Sequence, residues 1–384
     1  MKKIMLLVCI LLCMGVCAYA GETTYSGVCD PIVIDQPGEH TIILDGVTIE
    51  TAEKSAISVK APATKLTIIL KDGSENNLAG GFKFAGIANN GVELVICCEN
   101  AGSGHKCTDA CGKLDITVVY DASLVGGGGA CIGSDAEKTF TGKVTIAGGN
   151  ITAHGCLAAA GIGSGQLADF EGELTITGGN ITSTGGHYAS AIGAGQFGAF
   201  TGSVTISGGN VIADGYPWSA GIGSAEADMT GIITVTGGNV TASSRALGAG
   251  IGAGYGTMRG KIFITGGTVT ASSMEEGDAI GSATDFEVDE VAVIEINPAA
   301  LKMSGVAGVD ADTAVALAGS PFAAKTNLKE LLKGNAYAKF ECITDFGSTS
   351  LPVTGDGTNV WLLAVLAAIG MIGMTVIIRK KNEA

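Results

Sequence analysis

Between Phe140 and Gly281 the alternation of apolar and polar residues repeats along the chain. Thr141–Ala153 reads Thr-Gly-Lys-Val-Thr-Ile-Ala-Gly-Gly-Asn-Ile-Thr-Ala. It recurs as Glu171–Ser183, Thr201–Ala213, Thr230–Ala242 and Arg259–Ala271. Each copy is followed by Ala-Gly-Ile-Gly or Ala-Ile-Gly. The isoleucines of this signature are Ile162, Ile192, Ile222, Ile251 and Ile280, in steps of 30, 30, 29 and 29 residues. A fixed period of this size signals stacked structural repeats.

Within a copy the pattern predicts three short strands. Val144-Thr145-Ile146 alternates in, out, in. Asn150–Ala153 follows a Gly-Gly corner, and Ala160–Gly163 is the third strand. Stacking the copies aligns Val144 with Leu174, Val204, Ile233 and Ile262, and Ile146 with Ile176, Ile206, Val235 and Ile264. Ile151 aligns with Ile181, Val211, Val240 and Val269. These inward columns predict an all-β fold, a right-handed parallel β-helix (solenoid) with rungs of about 30 residues. Phe140, Phe170, Phe200, Met229 and Met258 form a further column, expected to be buried under a turn, since exposed it would be an aggregation stripe. Asn150, Asn180, Asn210 and Asn239, ending in Thr268, stack at the corner, where side-chain amides can hydrogen-bond to one another.

Upstream, Ile32–Ile34, His40–Leu44, Val47–Ile49, Ala56–Val59, Leu66–Leu70 and Val92–Ile96 read as strands, with Asp45-Gly46 and Asp72-Gly73 as turns. Ala85-Gly86-Ile87-Ala88 is a degenerate form of the signature. Gly112–Asp135 reads as one more rung, with Leu114 and Ile116 in the places of Val144 and Ile146. They lie 18 and 16 residues before Ile132, as Val144 and Ile146 do before Ile162. Downstream the period stops. Val291–Ile296 and Ala338–Ile343 read as strands and Asn327–Gly334 as a short helix. A cap is expected there, because the end of a solenoid exposes unpaired strand edges.

The two termini change the picture. Met1-Lys2-Lys3, the apolar run Ile4–Val16 and Ala18-Tyr19-Ala20 have the parts of a secretory signal peptide. Val360–Ile378 is long and apolar enough to span a bilayer, and Arg379-Lys380-Lys381 follows it. The predicted organisation is therefore a signal peptide over 1–20 and the β-helix over 21–284, with regular repeats over 140–284. A cap over 285–346 and a linker over 347–350 follow. A pentapeptide occupies 351–355, and the membrane span with its basic tail occupies 356–384. Removing both ends would take away five basic and two acidic residues, moving the net charge from −15 to −18. Such a chain repels nucleic acid and anionic lipid, so no nucleic-acid partner is expected. Glycine, at 61 of 384 residues, has about twice its usual share, as many tight turns require.

The pentapeptide Leu351-Pro352-Val353-Thr354-Gly355, with the apolar span and basic tail behind it, resembles the sorting signal of sortase-anchored Gram-positive surface proteins. The resemblance implies sortase and peptidoglycan as partners. A sortase cysteine would attack the carbonyl of Thr354, expel Gly355 and everything after it, and pass the acyl group to a cross-bridge amine. The protein would then be secreted and wall-anchored, passing the membrane only as an intermediate. Asp45–Ile49, Ser55–Val59 and Leu66–Leu78 resemble the opening of a family of bacterial surface β-helix proteins described as carbohydrate-binding, with a fold similar to pectate lyase. That resemblance covers about 32–281 and implies a polysaccharide ligand. Calcium in that family is associated with acidic Lys-Asp-Asp turns, which this sequence lacks, and no cofactor is expected from it.

Candidate chemistry lies where copies depart from the repeat. Tyr188 and Trp218 each sit four residues before a signature isoleucine, on adjacent rungs, with His187, Tyr216 and Pro217 close by. Aromatics on a turn can stack on sugars or simply on each other. The rest of that column is Ala158, Leu247 and Glu276, which confines any platform to two rungs. Cys97, Cys98, Cys107 and Cys111, with His105, form the densest cysteine cluster. It admits a zinc site, a disulfide-pinned insertion in an exported protein, or free thiols. Glu226 or Asp214 could be half of a carboxylate pair for glycoside hydrolysis, but the sequence supplies no visible second half. No catalytic residues are expected, and the leading expectation is non-catalytic glycan binding at a cell surface. An adhesin that contacts a protein, and a polysaccharide lyase or glycosidase, are the alternatives.

Overall fold

The computed structural model describes residues 22–101, 106–120, 127–275, 277–283, 285–298 and 302–343. The segments expected to be a signal peptide, a sorting pentapeptide and an apolar span, together with His105, lie outside them. In each regular rung a four-residue strand such as Lys143–Ile146 forms the first face. A second strand such as Asn150–His154 follows the glycine corner, and the two-residue Ile162–Gly163 makes the third face. Buried aliphatic side chains alternate with part-exposed, mostly polar residues such as Thr145 and Thr152 on the first two faces, which suits a pleated surface with one buried side. All copies pair in parallel with their neighbours, in the register expected from the period. The third face stacks nine strands, from Ile32–Ile34 to Ile280–Gly281. The chain is thus an all-β parallel β-helix.

The core is made of like residues stacked on like. Ile162, Ile192, Ile222 and Ile251 are fully buried on the axis side of the third face. Phe140, Phe170 and Phe200 are buried too, with ring centroids 4.7 and 4.8 Å apart and interplanar angles of 17° and 5°. That spacing is the separation of neighbouring strands, about 4.8 Å, so the rings stack at the distance set by the backbone. At the corner Asn180 Nδ2 donates to Asn150 Oδ1 at 2.8 Å, Asn210 to Asn180 at 2.7 Å and Asn239 to Asn210 at 2.9 Å. An amide carries both donor and acceptor, so identical residues satisfy one another.

The glycine after each signature isoleucine has a steric cause. Gly163, Gly193 and Gly223 have φ of +141°, +134° and +140°. A Cβ on Gly193 would lie 2.0 Å from the carbonyl oxygen of Gly223 in the next rung. Ala88 occupies this column near the start, opposite Gly133, and is not among the residues of positive φ.

Two expectations need correction. Leu114 and Ile116 do not take the places of Val144 and Ile146. Leu94 and Ile96 do, while Leu114 and Ile116 pair with Ile151 and Ala153 on the second face. The cysteine-bearing loop therefore interrupts this rung at its corner, between the strands Glu93–Cys98 and Lys113–Val118. Asp45-Gly46 does not reverse the chain either. Gly46, with φ +74°, bends one long strand, Gly38–Glu50, from the first face to the second.

Beyond the regular repeats, Val293–Ile296 still pairs in parallel with Lys261–Ile264. The chain then turns back. Tyr337–Cys342 pairs antiparallel with Thr268–Ser273 and covers the open edge of the second face, the remedy that exposed edges require. The expected helix is a single turn, α1, Lys329–Leu332, with Asn327 Oδ1 accepting the Lys329 N–H at 2.9 Å.

Two substitutions test this packing. Gly193→Ala should destabilise the fold by more than about 4 kcal/mol, because the clash is with backbone that cannot move without breaking the ladder. Asn180→Ala, which removes two amide–amide bonds from a part-exposed row, should cost about 1–2 kcal/mol. Urea denaturation midpoints read both, and a Gly193→Ala protein as stable as the parent would contradict the rung contact described.

Candidate functional site

The turns that precede the third strand carry Tyr188, Tyr216 and Trp218, of which Trp218 is exposed. Gly186–Ala189 and Tyr216–Ser219 are four-residue turns closed by Ala189 N–H to Gly186 C=O at 3.0 Å and Ser219 N–H to Tyr216 C=O at 3.1 Å. Pro217 sits at the second position of its turn, which its ring favours. Tyr188 and Trp218 sit at the third position with φ of +60° and +69°. That position favours glycine or asparagine, and a left-handed backbone costs an ordinary residue about 1–2 kcal/mol. Ala158 holds the same place one rung earlier with φ +64°. The buried Ser219 hydroxyl locks the turns together, donating to Ala189 C=O at 2.7 Å.

The rings form a ribbon. Tyr188 and Trp218 stack at 5.3 Å and 26°, so each covers part of the other. The ribbon does not end at two rungs, as the column pattern implied. Trp218 lies 5.8 Å from Tyr255, and Tyr255 meets Phe286 edge-on at 4.6 Å. Tyr255 belongs to the turn after the third strand, one rung on, and its N–H donates to Trp218 C=O at 2.8 Å. Because the third strand has only two residues, the turns on its two sides converge. Trp218 is 38% exposed and Tyr255 40%.

Polar groups border the ribbon. His187 lies 4.3 Å from Tyr216, and the Arg245 guanidinium sits 5.5 Å from the Tyr216 ring centroid. Arg245 is held there by Asp214, through Nε at 2.8 Å and Nη2 at 2.6 Å, and its pKa is raised chiefly by that hydrogen bond. In the turn column that leads to Tyr255, Gln166 Nε2 donates to Gln196 Oε1 at 2.9 Å and Gln196 Nε2 to Glu226 Oε2 at 2.6 Å. Glu226 and Asp214, the two carboxylates singled out in the sequence, are thus each engaged by a neighbouring side chain. Beside this column Leu167 and Phe197 are more than half exposed, again on left-handed backbone.

The cysteine cluster divides. Cys97 and Cys98 end a first-face strand and point to opposite sides, Cys98 inward. Cys98, Cys107 and Cys111 bring their sulfurs within 4.8 Å of one another, and Cys98 and Cys107 are 3.7 Å apart. Gly149 N–H donates to Cys107 Sγ at 3.1 Å. Burial pushes the Cys98 thiol up to about 12 and raises Cys107 as well. The loop lies on the asparagine corner: Asn150 Nδ2 donates to the carbonyls of Thr108 and Cys111, both at 2.9 Å.

Five segments, 144–166, 174–196, 204–226, 233–255 and 264–284, match the family model for the beta helix repeat. No curated protein and no solved structure matches the chain significantly. The matched segments coincide with the rungs whose strands pair in register, and the chain is a β-helix repeat protein.

Proposed function

We propose that the protein is a non-catalytic glycan-binding β-helix displayed at a bacterial cell surface. The observation that carries this reading is the aromatic ribbon, Tyr188, Trp218, Tyr255 and Phe286, which crosses successive rungs. Two of its rings occupy backbone positions that suit glycine better, and such strain is a pointer to function. Sugars offer apolar C–H patches beside hydroxyls. The part-exposed rings of Trp218 and Tyr255, bordered by Gln196, Glu226, His187 and the Arg245–Asp214 pair, offer both halves of that chemistry. A polysaccharide lying along the helix axis meets one group of contacts per rung.

A second reading, docking of a protein partner, draws on Leu167 and Phe197, whose exposed apolar side chains extend the same face. Aromatic anchors serve protein interfaces as well. A glycan array separates the two readings, since only the first expects a hit.

Display at the surface follows from the sorting-signal resemblance. Pro352 fixes its own φ and keeps Leu351 extended for a binding groove, and Gly355 lets an enzyme approach the scissile bond. Sortase, acting on Thr354, would leave the β-helix on peptidoglycan.

Two variants test the proposal. Trp218→Gly should lower glycan affinity at least about 10-fold, a loss of about 1.4 kcal/mol. It should change folding stability by no more than about 1 kcal/mol, because relief of the left-handed backbone offsets the lost ring contacts. Titration calorimetry with an array hit and denaturant titration measure the two effects, and silence across the array sinks the glycan reading. Thr354→Ala should shift the protein from the wall fraction to the membrane or medium; unchanged wall linkage would rule out sorting at this motif.

A further inference from the structure

We propose that Cys98, Cys107 and Cys111 form a three-thiolate site for a soft divalent cation of the zinc class, which fastens the 106–111 loop to the asparagine corner. The three sulfurs come from a strand end, the middle of the loop and its end. They converge to within 4.8 Å of one another. Tetrahedral zinc binds sulfur at about 2.3 Å, which places ligand sulfurs about 3.8 Å apart. The Cys98–Cys107 separation is 3.7 Å. A disulfide joins sulfurs at about 2.05 Å and takes only two of them, whereas a cation uses all three. A donor set made of sulfur alone selects a soft divalent cation such as zinc over calcium and magnesium.

The surroundings of the site fit this role. Gly149 N–H donates to Cys107 Sγ at 3.1 Å, the kind of outer-shell bond that orients a metal ligand. The loop backbone already rests on the corner through Asn150, and Asn180 Nδ2 reaches the Cys107 carbonyl at 3.4 Å. Cys97, on the other side of its strand, is outside the set. Three protein donors leave one tetrahedral position for solvent or another donor. The loop borders a groove of about 830 Å³ along the glycine corner, lined by Lys106, Asn180, Asn210 and Asn239. Fixing the loop therefore fixes one wall of that groove.

The experiment uses the whole exported protein, purified without oxygen, reduced and stripped with chelator, then titrated with Co²⁺. The expected result is one equivalent bound, with a near-ultraviolet thiolate-to-cobalt band that Zn²⁺ abolishes by displacement. Cys107→Ser should weaken binding about 100-fold or more, and Cys97→Ser should leave it unchanged. In the unaltered protein Zn²⁺ should protect the part-exposed Cys107 from alkylation. It should also slow amide exchange over 106–111. Absence of the band, a band that survives Cys107→Ser, or a Cys98–Cys107 disulfide in the protein as isolated overturns the proposal.

Discussion

Every rung of this molecule must accept an almost identical rung at the strand spacing, about 4.8 Å away. That single constraint decides which residues repeat. A side chain in a repeated position faces its own copy, so it must be compatible with itself. Aliphatic groups and phenylalanines pass, as the stack of Phe140, Phe170 and Phe200 illustrates. Asparagine passes because an amide is its own complement. Charges of one sign do not pass directly opposite each other. Lys143 therefore faces Glu173, and Glu173 faces Ser203. Where the backbone itself makes the contact, only glycine passes, as at Gly193.

Residues that obey this rule are occupied in stacking. Side chains free for other work lie in the turns, where copies differ. The aromatic ribbon arises from one such difference, bulky rings placed where Ala158 sits in the preceding rung. The thiol cluster arises from another, a loop let into the corner of one rung. Both rest on the rigid stack beneath them, so the helix acts as a ruler that holds irregular groups at fixed separations.

The period made most of the fold legible, because contacts one rung apart are contacts one period apart in sequence. The four inward columns and the asparagine row could be written down from the numbering. The same device misplaced Leu114 and Ile116. Their distance to Ile132 matched that of Val144 and Ile146 to Ile162, but the rung had been lengthened both before and after its second strand. Counting residues gives register only while loop lengths stay constant. Leu94 and Ile96 also show the right alternation, and strand pairing chose them.

The sequence by itself determined the β-helix, its buried columns and the asparagine row, since each depends on neighbours at a fixed separation along the chain, whereas the backbone contact that demands glycine at Gly193 came from the structure. It also marked Tyr188, Trp218 and the cysteine-rich stretch as departures. Only the tertiary structure joined Trp218 to Tyr255 and Phe286, and only it drew Cys98, Cys107 and Cys111 together while leaving Cys97 aside. Those groupings are made by turns converging around a two-residue strand and by a loop folding back on a corner. Chain closure in space sets such contacts, and no repeat spacing encodes it.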